Sequence, residues 1–152
     1  MFRIEYRLNS DSFPKENTIN ETEFHYYYYV GNLSFVFSEG KIQMEDITLG
    51  NVCVQLRSIC NNLNRKDGVK QDLEFTEGEG IITIEKRAEN VFIHPDFIHS
   101  EKDNEYLIEA PEEYGFVVPI VIFTNEAKNF YRRVTEEILS VDDVAKRYIP
   151  EW

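Results

Sequence analysis

The stretch that decides the fold class is residues 49–63, which read LGNVCVQLRSICNNL. Its apolar side chains recur at intervals of three and four residues, whereas apolar and polar residues alternate on both sides of it. Intervals of three and four are typical of an amphipathic helix, and alternation is typical of a strand with one buried face. The sequence therefore predicts an α+β protein in which one helix, at about 51–64, is inserted between strands.

Strands are predicted on both sides of this helix. They cover 2–8, 24–30, 33–37 and 41–45 before it, and 69–75, 81–87, 90–94 and 104–110 after it. The short connections require antiparallel pairing, because parallel strands need crossovers of a dozen or more residues. The sequence thus predicts a single domain, residues 1–152, built on an antiparallel meander sheet of about seven or eight strands.

The longest apolar run, FVVPIVIF at 116–123, allows two interpretations. In the first, a short extended segment leads to Pro119, which is well suited to the first position of a helix that continues to about residue 139. In the second, the whole run is a buried strand and the helix begins at 124 or 125. We favour the first interpretation, because a proline in a central strand removes a hydrogen bond between strands.

A further short helix is predicted at 141–148. Ser140 and Asp143 have the spacing of a capping box, in which the first side chain accepts a hydrogen bond at the start of a helix. The C-terminal helices therefore cover about 119–148. The core is predicted to consist of side chains on the apolar face of each predicted strand and helix. It consists of Ile4, Tyr6, Phe35, Leu56, Ile59, Leu73, Phe75, Ile82, Ile84, Phe130 and Val134.

Charge and apolar content restrict the partners that we expect. The chain has 28 acidic and 16 basic residues and a net charge of -12, which argues against nucleic acid, whose binding depends on Lys and Arg. Its longest apolar run is far shorter than the roughly 20 residues that cross a membrane. The N-terminus lacks the apolar region of a signal peptide. We therefore expect a cytoplasmic chain without nucleic-acid or membrane partners, and we leave its oligomeric state open.

Negative charge is concentrated at 101–113, where six acidic residues accompany a single base, Lys102. Such a segment can protect a sheet edge from aggregation, or it can attract a basic protein and accelerate its association. Leu107 adds an apolar point of contact. We predict that the second role applies and that a basic protein binds here. The predicted partner-binding residues are Glu101, Asp103, Glu105, Leu107, Glu109, Glu112 and Glu113.

Candidates for chemistry are few. His94, Asp96 and His99 are residue types that bind zinc, but Pro95 interrupts any regular spacing between them. Cys53 and Cys60 are expected to be buried as small apolar residues. We predict no catalytic residue, no metal site and no cofactor. A metal-dependent enzyme that uses His94, Asp96 and His99 is the alternative.

Residues 24–30, FHYYYYV, are aromatic on both faces of the predicted strand. Such a strand is either central and covered on both sides, or it uses its tyrosines to bind a partner, because tyrosine combines a large apolar body with a polar end. The second possibility defines a third hypothesis for the chain's role. In that hypothesis the chain is a structural domain that forms oligomers through this strand.

In its size, acidity, expected lack of an export signal and sheet-plus-helix layout, the chain resembles bacterial toxin-neutralising immunity proteins as a class, although no motif carries the resemblance. The resemblance implies an inhibitor that binds a basic toxin, such as a nuclease. Nucleases have positively charged clefts, and a compact acidic domain can occupy one. The sequence is therefore interpreted as that of an acidic protein-binding domain without enzymatic activity.

Overall fold

The computed structural model describes residues 1–16, 18–65, 69–75, 80–96, 106–109 and 115–152, and for Asp96 and residues 106–109 it describes the backbone alone. The fold is α+β, as predicted, but its strands form two antiparallel sheets of four. Sheet I has the order β1 (Phe2–Leu8), β2 (Val30–Phe37), β3 (Lys41–Thr48) and β7 (Tyr106–Glu109). Sheet II has the order β4 (Lys70–Glu74), β5 (Ile81–Arg87), β6 (Asn90–Asp96) and β8 (Phe116–Pro119).

The prediction of a single meander sheet with one inserted helix was wrong in that the strands divide into two sheets. Strands β1 to β3 and β4 to β6 are each a meander, but helix α2 (Leu49–Leu63) separates the two groups. After β6 the chain returns to sheet I, where β7 pairs with β3, and then goes back to sheet II, where β8 pairs with β6. Each sheet is thus completed by a strand that is distant in sequence, which alternation of residues does not reveal.

Helix α2 confirms the predicted inserted helix and begins two residues earlier than expected. Its buried side includes Val52, Leu56, Ile59 and Leu63, which are the predicted stripe. The ring of Phe24 packs against the start of the helix at Gly50. A Cβ atom at this position would lie 2.8 Å from the ring, so a larger residue would not fit without a shift. The helix packs against α3 (Ile120–Val141), so that its apolar stripe is covered by another helix as well as by the sheets.

The predicted strand at 24–30 is absent, and the chain forms helix α1 (Glu21–Tyr26) there instead. A capping box starts this helix: the Glu23 amide donates to Asn20 Oδ1 at 2.8 Å, and the Asn20 amide donates to Glu23 Oε1 at 3.2 Å. Tyr29 has a φ of 60°, in the left-handed region outside the usual range of strand residues, and β2 begins only at the next residue. The oligomerisation hypothesis therefore loses the strand on which it depended.

Tyr29 connects this region to the C-terminal part of the chain. Its side chain is fully buried, and its ring lies 5.2 Å from that of Phe13 and 5.6 Å from that of Phe24. The hydroxyl group donates a hydrogen bond of 2.6 Å to Asp142 Oδ2. This hydrogen bond between residues 113 positions apart thus fixes Tyr29, which the sequence analysis predicted on a strand.

The structure confirms the favoured interpretation of the run 116–123. Strand β8 ends at Pro119, and α3 begins at the following residue. Pro119 is therefore the N-cap of α3 and not the first helical residue as predicted. Although α3 has 22 residues, no helix in the described part of the chain is long and apolar enough to cross a membrane. The last helix is a short 3-10 helix, Asp143–Arg147, capped by Asp142, which accepts from the Val144 amide at 3.0 Å. Ser140, the predicted cap, lies in α3 instead.

The predicted core is confirmed with one exception, since all of its residues are buried except Tyr6, which is half-buried. The two sheets meet through aromatic rings. The ring of Phe37 on β2 stacks on that of Phe116 on β8, with centroids 3.9 Å apart. The ring of Phe2 on β1 stacks on that of Phe123, with centroids 5.6 Å apart, and so joins sheet I to α3. The core is thus a single apolar cluster between both sheets and the helices.

Helix side chains occupy the outer edges of β1 and β4. The Ile4 amide donates to Glu126 Oε1 at 3.2 Å, and Arg133 Nη2 donates to the Ile4 carbonyl at 2.9 Å. On β4, Gln55 accepts from the Glu74 amide at 2.8 Å and donates to its carbonyl at 2.7 Å. These side chains bind the backbone as a neighbouring strand would, and so they protect both edges from pairing with another chain.

We predict a loss of stability at alkaline pH. Burial raises the pKa of Tyr6 and of Tyr131 to about 12, and burial together with the bond to Asp142 raises the pKa of Tyr29. Tyrosines of the unfolded chain ionise near pH 10, so these groups contribute stability that is complete below pH 10 and lost as the pH rises towards 12. The urea midpoint should therefore fall steeply above pH 10.

The variant Tyr6→Phe should lessen this fall, whereas Tyr27→Phe, at an exposed tyrosine, should leave it unchanged. Absorbance at 295 nm, which reports tyrosine ionisation, should show that the buried tyrosines ionise only when the protein unfolds. A midpoint that stays constant between pH 9 and pH 12 would contradict this prediction.

Candidate functional site

Two of the seven predicted partner-binding residues lie in the described part of the chain. Leu107 and Glu109 are on β7, the last strand of sheet I, where Leu107 is opposite Gln43 and Glu109 is opposite Lys41. The other five, Glu101, Asp103, Glu105, Glu112 and Glu113, lie outside the described residues. The acidic segment therefore includes the terminal strand of a sheet, on the side away from β1.

The strands next to β7 have one face in the core and one towards solvent. Phe35, Ile42 and Met44 are buried, and they alternate with side chains that are exposed or half-buried. The solvent face includes Arg3 and Glu5 on β1, and Ser34, Val36, Lys41 and Gln43 on β2 and β3. Sheets of this kind leave an extended surface on their outer side. Such a surface suits contact with another macromolecule.

The predicted metal ligands are not brought together within the described residues. His94 lies on β6 opposite Thr83, and its ring is parallel to that of Phe92 at 6.1 Å. Asp96 ends β6, described by its backbone alone, and His99 lies outside the described residues. No three His, Cys, Asp or Glu side chains of the described residues are grouped to hold a metal ion. Pro95 does not end the strand, since it is paired with Ile82.

Both cysteines are free and buried on α2, as predicted. Burial raises the pKa of both thiols, that of Cys60 to about 12. A thiol becomes a nucleophile or a metal ligand only as the thiolate, which neither group forms near neutral pH. Cys53 and Cys60 therefore act as small apolar residues of the core.

One cavity that the sequence did not indicate lies beside the C-terminal residue. We call it the Trp152 cavity; it has a volume of about 400 Å³. It is lined by Lys128, Asn129, Tyr131, Arg132, Thr135, Glu136 and Trp152. The helical spacing of Lys128 and Arg132 is visible in the sequence. Their proximity to Trp152 depends on how the chain end returns to α3, for which we found no signal.

Comparison with known protein families, with curated proteins and with solved structures found no significant match to the chain. The function is therefore inferred from the chain's own residues.

Proposed function

We propose that this chain is an acidic binding domain without enzymatic activity that recognises a basic protein. The particular function that we infer is that of an immunity-type inhibitor, which neutralises a basic toxin such as a nuclease in the cytoplasm. The main support is the concentration of acidic residues at 101–113, a segment that includes β7 at the end of sheet I.

The distribution of charge supports this proposal. None of the acidic side chains whose burial is described lies in the core, so these charges face or border solvent. With a net charge of -12, the surface creates a negative potential that attracts a positively charged protein and repels nucleic acid. Such a potential mainly increases the rate of association and the selectivity for partners of opposite charge.

The edges of the sheets support a partner surface at β7. The backbone of β1 is bonded to Glu126 and Arg133 at Ile4, and the backbone of β4 is bonded to Gln55 at Glu74. At Ile4 and Glu74 these two edges are therefore already bonded to side chains of the helices. The proposal therefore places the partner at the end of sheet I opposite β1, where the acidic segment includes Leu107 and Glu109.

Such a domain would inhibit a nuclease by competing with nucleic acid for the cationic side chains of the cleft. A nuclease cleft binds phosphates through Lys and Arg side chains, and these side chains provide much of its affinity for nucleic acid. A rigid domain that presents carboxylates to the same side chains would block the cleft. The two buried, unpaired cysteines fit a reducing compartment, where disulfides are rare.

We expect the double substitution Glu105→Lys, Glu109→Lys to weaken partner capture several-fold. Immobilised wild-type protein should enrich a basic protein from a lysate of the source organism at low salt. The doubly substituted protein should retain several-fold less of it, because reversal of two charges reduces both attraction and fit. The recovered partner should lose its activity on nucleic acid when one equivalent of the wild-type protein is added.

The matched control is Glu16→Lys, Glu151→Lys, which changes the net charge equally at two exposed positions away from β7. This control should capture the partner almost as well as the wild type does. Equal capture by both double variants would show that the segment 101–113 is not the binding surface. If no basic protein is enriched, the proposed function is wrong.

A further inference from the structure

The Trp152 cavity has the size and the mixed lining of a site for a small ligand. Its volume of about 400 Å³ falls at the lower end of the range for ligand pockets, roughly 300–1,000 Å³. It opens on α3, where the protein contributes aromatic, cationic and hydrogen-bonding side chains to one space. A cavity of this size suits a ligand with a single ring.

The aromatic wall of the cavity is held in place by contacts to two helices. The Tyr131 hydroxyl donates to the Pro150 carbonyl, and Arg57 Nε on α2 donates to the Glu151 carbonyl at 2.6 Å. The ring of Trp152 packs edge-on against that of Tyr131, with centroids 5.2 Å apart. The indole is thus fixed by the backbone that leads to it and by a ring beneath it. A flat ligand would meet a preformed surface.

The polar side of the cavity is cationic, although the chain as a whole is strongly acidic. Lys128 and Arg132 are four residues apart and lie on the same side of α3, against a single lining carboxylate, that of Glu136. Lys128 Nζ lies 5.9 Å from the centre of the Trp152 ring. Within the described residues, the Arg132 guanidinium makes no ion pair.

Arg132 and Asn129 form the boundary with a second cavity of about 400 Å³, whose other charged lining residues are Arg3, Arg133, Glu5 and Glu126. The Asn129 amide and the planar guanidinium of Arg132 are neighbours on α3. Together they offer the array of N–H donors that binds a carboxylate in two-point fashion. The carboxylates of Glu5 and Glu126 in the second cavity are paired with Arg3 and Arg133. Acidic residues further away oppose an anion only weakly, because charges separated by more than about 8 Å are screened at physiological salt.

We propose that the Trp152 cavity binds a small aromatic carboxylate. The ring of the ligand lies against Trp152, and its carboxylate accepts hydrogen bonds from Arg132 and Asn129. This is a binding function separate from the recognition of a basic protein, since it depends on α3 and not on sheet I.

The experiment uses the fluorescence of Trp152, which is the only tryptophan of the chain. The protein, residues 1–152, is titrated with benzoate, with benzyl alcohol as a neutral analogue and with benzylamine as a cationic one. Benzoate should change the emission in a saturable manner and bind more tightly than either analogue. Arg132→Gln should weaken benzoate binding about tenfold, through loss of a charged hydrogen bond. Arg147→Gln, at an exposed arginine outside this cavity, should leave the affinity unchanged.

Three results would overturn the proposal: an emission change that is not saturable, equal affinity for benzoate and benzyl alcohol, or equal affinity of the wild type and Arg132→Gln. Arg132 is exposed, so the variant should fold, and its thermal midpoint should confirm this. The second of the three results would show that the ring stacks without recognition of the anion.

Discussion

Replacement of Tyr29 by alanine is expected to lower the free energy of unfolding by about 3–5 kcal/mol, as is usual for a buried aromatic side chain. Tyr29 is fully buried between the rings of Phe13 and Phe24, so the substitution removes its packing and leaves a cavity. It also removes the hydrogen bond that the Tyr29 hydroxyl donates to the Asp142 carboxylate. Urea unfolding at neutral pH measures the effect.

Tyr29→Phe separates packing from hydrogen bonding, because it removes only the hydroxyl. We expect a loss of about 1–3 kcal/mol, the usual consequence of leaving a partly buried acceptor unpaired. Tyr27→Ala is the control, since this tyrosine is 66% exposed and its loss should change stability by less than about 0.5 kcal/mol. If Tyr29→Ala were no more destabilising than Tyr27→Ala, the described position of the tyrosine run would be wrong.

Gly31→Ala is expected to destabilise the fold by about 3 kcal/mol, at the upper end of the usual range for overpacking. Gly31 lies in β2, and a Cβ atom there would lie 2.1 Å from the carbonyl oxygen of Arg7 and 2.9 Å from Leu49 Cδ1. The first of these atoms belongs to the backbone of β1, so that rotation of a side chain cannot relieve the overlap. The strands themselves must separate.

The loss should be seen in urea unfolding and in faster amide exchange of β1. Ser34→Ala, on the solvent face of the same strand, is the matched control and should change stability by less than about 0.5 kcal/mol. A Gly31→Ala protein as stable as this control would contradict the described pairing of β1 with β2.

Helices and strands with a regular spacing of apolar residues or a clear start signal could be predicted from the sequence. The stripe Val52, Leu56, Ile59 and Leu63 predicted α2, and Pro119 predicted the start of α3 because its ring favours a first helical turn. The tyrosine run was predicted incorrectly, since aromatic residues favour strands in general. Here the capping box before α1 outweighed that preference.

Features that depend on distant parts of the chain could not be predicted. The pairing of β7 with β3 and the bond from Tyr29 to Asp142 join residues that are far apart in sequence. The acidic segment was found from composition alone, but the place of its described residues 106–109 at the end of sheet I came from the register of β7. The Trp152 cavity depends on the return of the chain end to α3, which no local pattern signals.

The most direct test of the proposed function is the association rate of the purified protein with its basic partner as a function of salt. We expect the rate constant to fall several-fold between low and physiological salt, because screening shortens the range of the attraction to about 8 Å. The difference between the wild type and Glu105→Lys, Glu109→Lys should disappear at high salt. A rate constant that depends neither on salt nor on this double substitution would contradict recognition through the acidic segment.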